Sequence, residues 1–226
     1  MKKVLLILTI ILFSCNYTTQ KTEFRENLTT ESITVENPVL CEIQDKNGIK
    51  FKTCMKNYYF FQLKSLNGKL WYENKNNPSR FEFVDFNNDG LLDLEIHYLS
   101  NIPRSEILIY KPELKKFIEI LNFSNFPSAT KIEETNYYYS YHKSGCADSN
   151  WDSDLFYIKE NRAVKIGNIS GLGCTSNSET GIFIYKISNN KKALIKKILR
   201  KPGYYPDKWD FIKKYWTKNY QSFQQQ

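Results

Sequence analysis

The 226-residue sequence predicts an all-β fold, an antiparallel meander of about ten strands with a short C-terminal helix. Short runs of alternating apolar and polar residues recur along the chain with turn residues between them, which is typical of half-buried strands. Tyrosine and phenylalanine are abundant, at 16 and 15 residues, and aromatic side chains favour sheet over helix. Asn67-Gly68 separates two such runs and predicts a hairpin, because both central residues of a tight hairpin turn need positive φ.

The predicted strands follow one another between residues 49 and 199. They are Ile49–Cys54, Tyr58–Leu66, Lys69–Tyr72, Arg80–Val84, Leu92–Leu99, Glu106–Tyr110, Phe117–Leu121, Ile132–Tyr141, Leu155–Ile158, Ala163–Ile169, Gly181–Ile187 and Ala193–Leu199. Trp209, Ile212 and Trp216 then recur at helical spacing after Asp207, a candidate N-cap. This spacing predicts the helix, which we expect to pack on the sheet.

Residues 1–14 predict an export signal. Lys2 and Lys3 precede an apolar run, Val4–Phe13, that is far shorter than the ~20 residues of a membrane-spanning helix. The following Leu-Phe-Ser-Cys resembles a bacterial lipobox, which implies that Cys15 is acylated and becomes the N-terminus of the mature chain. We therefore expect a lipid-anchored protein of the cell envelope, on the outer-membrane or periplasmic side, with its acyl chains as the membrane contact.

Two further segments follow the signal. Residues 15–37, the lipidated cysteine and a polar stretch rich in Thr, Asn and Glu, predict a flexible tether. Residues 38–226 are within the usual size of one domain with one sizeable core.

The number of cysteines that follow Cys15 is consistent with an exported protein. Cys41, Cys54, Cys146 and Cys174 form an even set, and disulfides persist in oxidising compartments. Four cysteines allow three pairings, of which we favour the sequential one, Cys41 with Cys54 and Cys146 with Cys174. A zinc site is the alternative, but the chain has no CxxC motif and its histidines are not spaced with the cysteines.

The net charge is basic. The whole chain carries +8, and loss of Lys2 and Lys3 with the signal leaves 30 basic and 24 acidic residues, close to +6. Export and the dispersed lysines argue against nucleic acid as the partner. Attraction to anionic lipid headgroups or acidic glycans stays open.

The segment VDFNNDGLLD predicts a calcium loop. Asp85, Asn87, Asp89 and Asp93 place side-chain oxygens at positions 1, 3, 5 and 9, and Leu91 offers its carbonyl at position 7. Hard cations prefer such a set of oxygen ligands, and the glycine at position 6 permits the sharp turn. An Asx turn, in which the aspartates bond their own backbone, is the alternative, although three crowded carboxylates without a cation repel one another.

The loop departs from an EF-hand because Ile96 stands at position 12, where a bidentate Glu is expected. With Phe81–Asp85 entering the loop, Leu92–Leu94 leaving it, and Ile107–Tyr110 further on, the chain instead resembles exported bacterial vestigial β-propellers with one FG-GAP or VCBS-type calcium loop. Some members of that family inhibit lysozyme or give immunity to a rival's cell-wall hydrolase. The resemblance implies the five calcium ligands named above and a vestigial propeller-like fold; it carries over no inhibitory residues.

A catalytic interpretation centres on His142. It lies near Asp148, Asp152 and Asp154 in the sequence, with Ser144 beside it, which would suit a hydrolase. The chain has no GxSxG motif, so we favour a surface histidine and no catalytic residues.

Trp151 is the one residue we single out for partner binding, because it lies in a long polar connection fixed by a cysteine. Between this role and core packing beside the disulfide, we favour core packing for Trp151.

The sequence thus predicts a non-enzymatic envelope lipoprotein, stabilised by structural calcium, that binds a protein or glycan and resembles inhibitors of cell-wall hydrolases. An envelope hydrolase using His142 and a structural subunit of an envelope assembly are the alternatives.

Overall fold

The computed structural model describes residues 38–56, 58–174, 179–189, 191–199 and 208–224. The predicted signal peptide, the lipidation site at Cys15, the tether and the capping residue Asp207 lie outside these residues. Within the described part of the chain, no helix is long and apolar enough to cross a membrane.

Fifteen strands and one α-helix are described. The strands are β1 (Leu40–Lys46), β2 (Ile49–Lys56), β3 (Phe60–Lys64), β4 (Leu70–Asn74), β5 (Pro78–Val84), β6 (Asp93–Tyr98), β7 (Arg104–Lys111), β8 (Lys116–Glu119), β9 (Thr130–Lys131), β10 (Tyr137–Tyr139), β11 (His142–Gly145), β12 (Asn150–Lys159), β13 (Arg162–Leu172), β14 (Gly181–Ser188) and β15 (Lys191–Leu199). The helix α1 spans Lys208–Asn219.

The strands form three antiparallel sheets. Sheet A has the order β1-β2-β3-β4, and sheet B has the order β5-β6-β7-β8. Sheet C contains seven strands in the order β15-β14-β13-β12-β10-β9, with β11 paired to β12. Because neighbours in sequence are neighbours in space throughout sheets A and B, each of these is a simple meander.

The strand β7 of sheet B is buried on both faces. Leu108 and Tyr110 of β7 pack in one cluster with Phe51 of sheet A. Ile107 and Ile109, which point to the opposite face, pack in another cluster that includes residues of sheet C. Double burial explains why β7 reads as a continuous apolar run rather than an alternating one.

The third cluster joins sheet C to the C-terminal helix. Ile212 and Trp216 of α1 are buried among residues such as Leu155 and Ile184. The indole Nε1 of Trp216 donates a hydrogen bond to the Ser153 hydroxyl at 2.8 Å, which satisfies the only polar atom of that side chain. The predicted packing of the helix on the sheet is therefore confirmed.

The all-β fold with a short C-terminal helix is confirmed, but several boundaries were wrong. The sequence did not predict β1, β9 or β11. Of the predicted strand Ile132–Tyr141 only Tyr137–Tyr139 is a strand, because it follows a turn in which the Thr135 N–H donates to the Ile132 carbonyl at 3.2 Å. The hairpin at Asn67-Gly68 is present, but only Gly68 has positive φ, because the loop is longer than two residues.

The sequential disulfide pairing is confirmed. Cys41 and Cys54 face each other directly across β1 and β2, and Cys146 is bonded to Cys174. Disulfides of this kind belong to an oxidising, extracytoplasmic compartment.

Candidate functional site

The predicted metal loop connects β5 to β6 in sheet B. It begins at Asp85, directly after the last residue of β5, and ends at Asp93, the first residue of β6. Asn88 and Gly90 adopt positive φ, at 56° and 85°, which curls the backbone between the two strands. A short loop between paired strands therefore holds all five predicted ligand positions.

Backbone N–H groups of the loop point at its acidic side chains. The two carboxylate oxygens of Asp85 accept from the N–H groups of Asp89 and Gly90, each at 3.0 Å. Asp89 accepts from the Leu91 N–H at 2.9 Å, and the Asn87 amide donates to Asp89 at 2.8 Å. These contacts are Asx-type turns, which shape the loop and leave further lone pairs on each carboxylate.

Asp93 is the buried member of the set. It is fully buried, and its two oxygens accept from the Tyr110 N–H at 2.8 Å and the Phe86 N–H at 3.2 Å. Burial, reinforced by the charge of Asp89 and opposed by the backbone donors, raises the pKa of Asp93 to about 6. At neutral pH an ionised carboxylate is thus held in the interior, next to a second acid.

Little positive charge reaches the loop from the rest of the domain. The Lys131 ammonium donates to the Asn87 carbonyl oxygen, which is one backbone contact. Among the described residues no lysine, arginine or histidine forms an ion pair with Asp85, Asp89 or Asp93. The three carboxylates therefore lack a neutralising partner from this part of the chain.

Asn47, a residue that no sequence motif singles out, anchors the loop. The Asn47 side chain, in the β1–β2 turn of sheet A, accepts from the Leu92 N–H at 2.9 Å and donates to the Leu92 carbonyl at 2.7 Å. This two-point contact ties sheet A to the end of the loop. Its 45-residue sequence separation explains why no local pattern indicates it.

The donor set fits a hard cation, but the loop is not closed around one centre. Carboxylates, an amide oxygen and the Leu91 carbonyl are the ligands that calcium prefers. In the described part of the chain, the group of three acidic, histidine or cysteine side chains whose ligand atoms lie within 4.8 Å of one another is Glu82, Glu95 and His97. The loop acids are not such a group, so calcium binding at the loop would require their carboxylates to move closer to one another.

The surroundings of His142 form an open cleft of about 640 Å³ on sheet C. Arg162, Lys165 and Lys192 line the cleft together with His142 and the buried Asp154. Three cations face one carboxylate there, so the cleft has a net positive charge.

The acidic residues near His142 do not form a catalytic array with it. Asp154 is paired with the Lys165 ammonium at 2.6 Å and accepts from the Asn168 amide at 2.8 Å. The imidazole Nδ1 of His142 is buried without a hydrogen-bond partner in the structure, and no described hydrogen bond joins His142 to Ser144 or to a carboxylate. Among the described residues, His142 thus lies beside acids without a hydrogen-bonded nucleophile–base–acid chain.

Asp148, the third acid near His142 in sequence, belongs to a different contact. Its carboxylate accepts from the Lys208 ammonium at 2.5 Å and from the Tyr141 hydroxyl. Burial raises the pKa of Asp148, but these two hydrogen bonds outweigh it and leave the pKa below its ordinary value. This pair links α1 to the connection between β11 and β12, which is a structural role.

Trp151 is a core residue. Its side chain is only 4% exposed, and the indole lies close against Gly171, the residue opposite it on β13. The favoured interpretation, core packing, therefore describes Trp151, and the possible role as an exposed partner anchor does not. The lack of a side chain on Gly171 makes room for the indole.

The comparisons with known proteins give one distant likeness. No family model and no curated protein matches the chain. A solved structure described as a Xanthomonas type IV secretion system related protein superimposes with a TM-score of 0.45 and 12% sequence identity, over 69% of this chain and 93% of that one. This protein is a weak structural neighbour, and its function is not carried over.

Proposed function

We propose that this protein is a non-enzymatic binding module of the cell envelope, anchored through acylated Cys15 and stabilised by a calcium ion in the loop from Asp85 to Asp93. The observation that carries the proposal is the unneutralised acidic loop in the β5–β6 hairpin, at the centre of a disulfide-braced β domain.

Calcium would act on folding and not on a reaction. Asp85, Asn87, Asp89 and Asp93 would hold it through side-chain oxygens, and Leu91 through its carbonyl. A divalent cation beside Asp93 would offset the cost of keeping that carboxylate ionised and buried. Since Asp93 also bonds β7, the ion would stabilise the join between β5, β6 and β7.

Kinship with the vestigial propeller inhibitors is part of this proposal. It is supported by the position of the acidic loop between two strands of a four-stranded meander, the arrangement that the sequence resemblance implies. A role in immunity to a cell-wall hydrolase would follow from that kinship.

Charge indicates the kind of partner. The mature chain is near +6, and the sheet C cleft places Arg162, Lys165 and Lys192 around one buried acid. Such a field attracts an acidic glycan or the acidic face of a protein, and it disfavours a basic lysozyme.

A non-enzymatic role is favoured over a hydrolase because Asp154 and Asp148 are each bonded to a lysine, and no described hydrogen bond joins His142 to either acid. We expect purified protein to show no hydrolysis of peptidoglycan or simple esters. Activity that disappears in His142→Ala would overturn the binding interpretation.

Binding can be tested with an acidic cell-wall polysaccharide as the probe. The double variant Arg162→Ala/Lys192→Ala should weaken binding, because both side chains are exposed in the cleft. Lys50→Ala/Lys52→Ala in sheet A removes the same charge elsewhere and is the matched control. Equal binding by both double variants would show that the cleft is not the binding surface, and co-purification from envelope extract would then identify a protein partner.

A further inference from the structure

Three side chains with metal-binding chemistry meet on one face of sheet B, outside the calcium loop. Glu82 of β5 and Glu95 of β6 are directly opposite each other across the strand pair. His97 lies two residues beyond Glu95, so its side chain points to the same face. The two paired strands fix the backbone of all three residues.

The ligand atoms of this group are already close together. The imidazole Nε2 of His97 is 2.6 Å from a Glu82 oxygen, and Nδ1 is 3.9 Å from a Glu95 oxygen. One ligand atom from each of the three residues lies within 4.8 Å of the others. The side chains of His97 and Glu95 are 19% and 21% exposed, and that of Glu82 is 42% exposed, so an ion in solution can reach the site.

We propose that Glu82, Glu95 and His97 form a binding site for a divalent transition-metal ion of the zinc type. Two carboxylates directly opposite each other on neighbouring strands repel one another, and a cation between them removes that cost. One imidazole nitrogen and two carboxylate oxygens, with water as the fourth ligand, are a donor set that zinc accepts.

Small side-chain rotations complete the geometry. Tetrahedral bonds of ~2.0–2.1 Å separate neighbouring ligand atoms by about 3.3 Å. In the structure one ligand atom from each of the three residues lies within 4.8 Å of the others, so the ligand atoms must approach one another by up to about 1.5 Å around an ion bound to a single imidazole nitrogen.

Arg80 offers an explanation for the proximity of these three side chains that needs no metal ion. Its guanidinium donates to the same Glu82 oxygen at 3.1 Å, so the group also forms an ion-pair network without a metal. Arg80 is opposite His97 in the register and is exposed, which leaves it free to turn away when a cation binds. A metal site binds added Co²⁺ or Zn²⁺ and an ion-pair network does not, so a titration with these ions distinguishes the two explanations.

This site is distinct from the calcium loop in position and chemistry. Glu95 and His97 lie about 7 Å and 13 Å along β6 from Asp93, given the ~3.3 Å rise per residue of a strand. Imidazole favours zinc-like ions, whereas the loop offers only oxygen atoms. The inference stands or falls independently of the calcium proposal.

The experiment is a titration with Co²⁺ and then Zn²⁺, followed by visible absorption and calorimetry. A Cys15→Ser background leaves no free thiol beside the two disulfides, and excess Ca²⁺ keeps the acidic loop saturated. We expect one equivalent of Co²⁺ to bind with the strong visible bands of a four-coordinate site and to be displaced by Zn²⁺.

His97→Gln should weaken Zn²⁺ binding by about 100-fold or more, since loss of a ligand exceeds the 10–100-fold effect of losing a supporting contact. Glutamine still donates a hydrogen bond to Glu82, so the ion-pair role is largely kept. His142→Ala removes the only other histidine and should leave binding unchanged.

Glu95→Gln provides a second variant that should also weaken binding, because it removes the charge and keeps the shape. The proposal is overturned if the wild type binds no Co²⁺ or Zn²⁺, or if His97→Gln and His142→Ala bind as the wild type does. In either case the group is an ion-pair network only.

Discussion

Calcium should raise the melting temperature of the wild-type protein, and Asp89→Ala should abolish the rise. The structure gives the reason, because Asp93 is fully buried with a pKa of about 6 and is therefore ionised at pH 7.5. Asp89 adds a second negative charge nearby, and no described side chain forms an ion pair with either acid. A cation in the loop relieves this repulsion only in the folded state.

The size of the expected rise in melting temperature follows from the calcium affinity of this set of ligands. A loop without a bidentate Glu at position 12 binds in the range of extracellular modules, with Kd of about 10⁻⁴ to 10⁻³ M. At roughly 10 mM calcium, binding to the folded state alone then stabilises it by about 1.4 to 2.7 kcal/mol. For a domain of this size that corresponds to a rise of about 3 to 10 °C.

The assay is thermal unfolding followed by circular dichroism at pH 7.5, with calcium or with a chelator. Without calcium, Asp89→Ala should melt close to the wild type. The lost hydrogen bond to the Leu91 N–H costs about 1 kcal/mol, and the removed repulsion with Asp93 offsets it. Asp45→Ala is the control, since Asp45 is an exposed strand residue outside the loop.

Equal melting of the wild type with calcium and with chelator would refute the calcium site. Equal shifts in the wild type and Asp89→Ala would place the ion elsewhere.

Three further predictions concern the core, each measured by urea unfolding. Gly171→Ala should destabilise by about 1 to 3 kcal/mol with an unchanged m-value, because a Cβ there would lie 2.1 Å from the Trp151 indole; an unchanged midpoint would contradict the packing described. Lys208→Met should cost about 2 kcal/mol at pH 7 by leaving Asp148 without its cation. Because the folded pKa of Asp148 is lowered, the stability from this pair is present above the ordinary pKa of 3.8 and lost as pH falls through the lowered value, so variant and wild type should converge in acid. Ser153→Ala should cost about 1 to 2 kcal/mol by leaving the indole N–H of α1 unpaired, and a smaller loss would indicate that water replaces the hydroxyl.

Local patterns predicted much of the secondary structure. The strands around the acidic loop were found because alternation and turn residues are properties of neighbouring positions. The same patterns failed at Ile132–Tyr141, where the aromatic residues suggested one strand and local hydrogen bonds of Thr135 form a turn instead. β11 was missed because its residues, His142–Gly145, lack an apolar pattern. This short strand pairs with one neighbouring strand, β12.

The sequence by itself determined the all-β class, the even set of four cysteines and the position of the acidic loop. These depend on residue types at fixed spacing along the chain. Only the tertiary structure decided that sheet B lies between two other sheets, that Asn47 holds the loop, and that His97 meets two glutamates while His142 meets none. The physical reason is that contacts between strands depend on register and on which sheet faces which, and residues far apart in sequence leave no local signal of either.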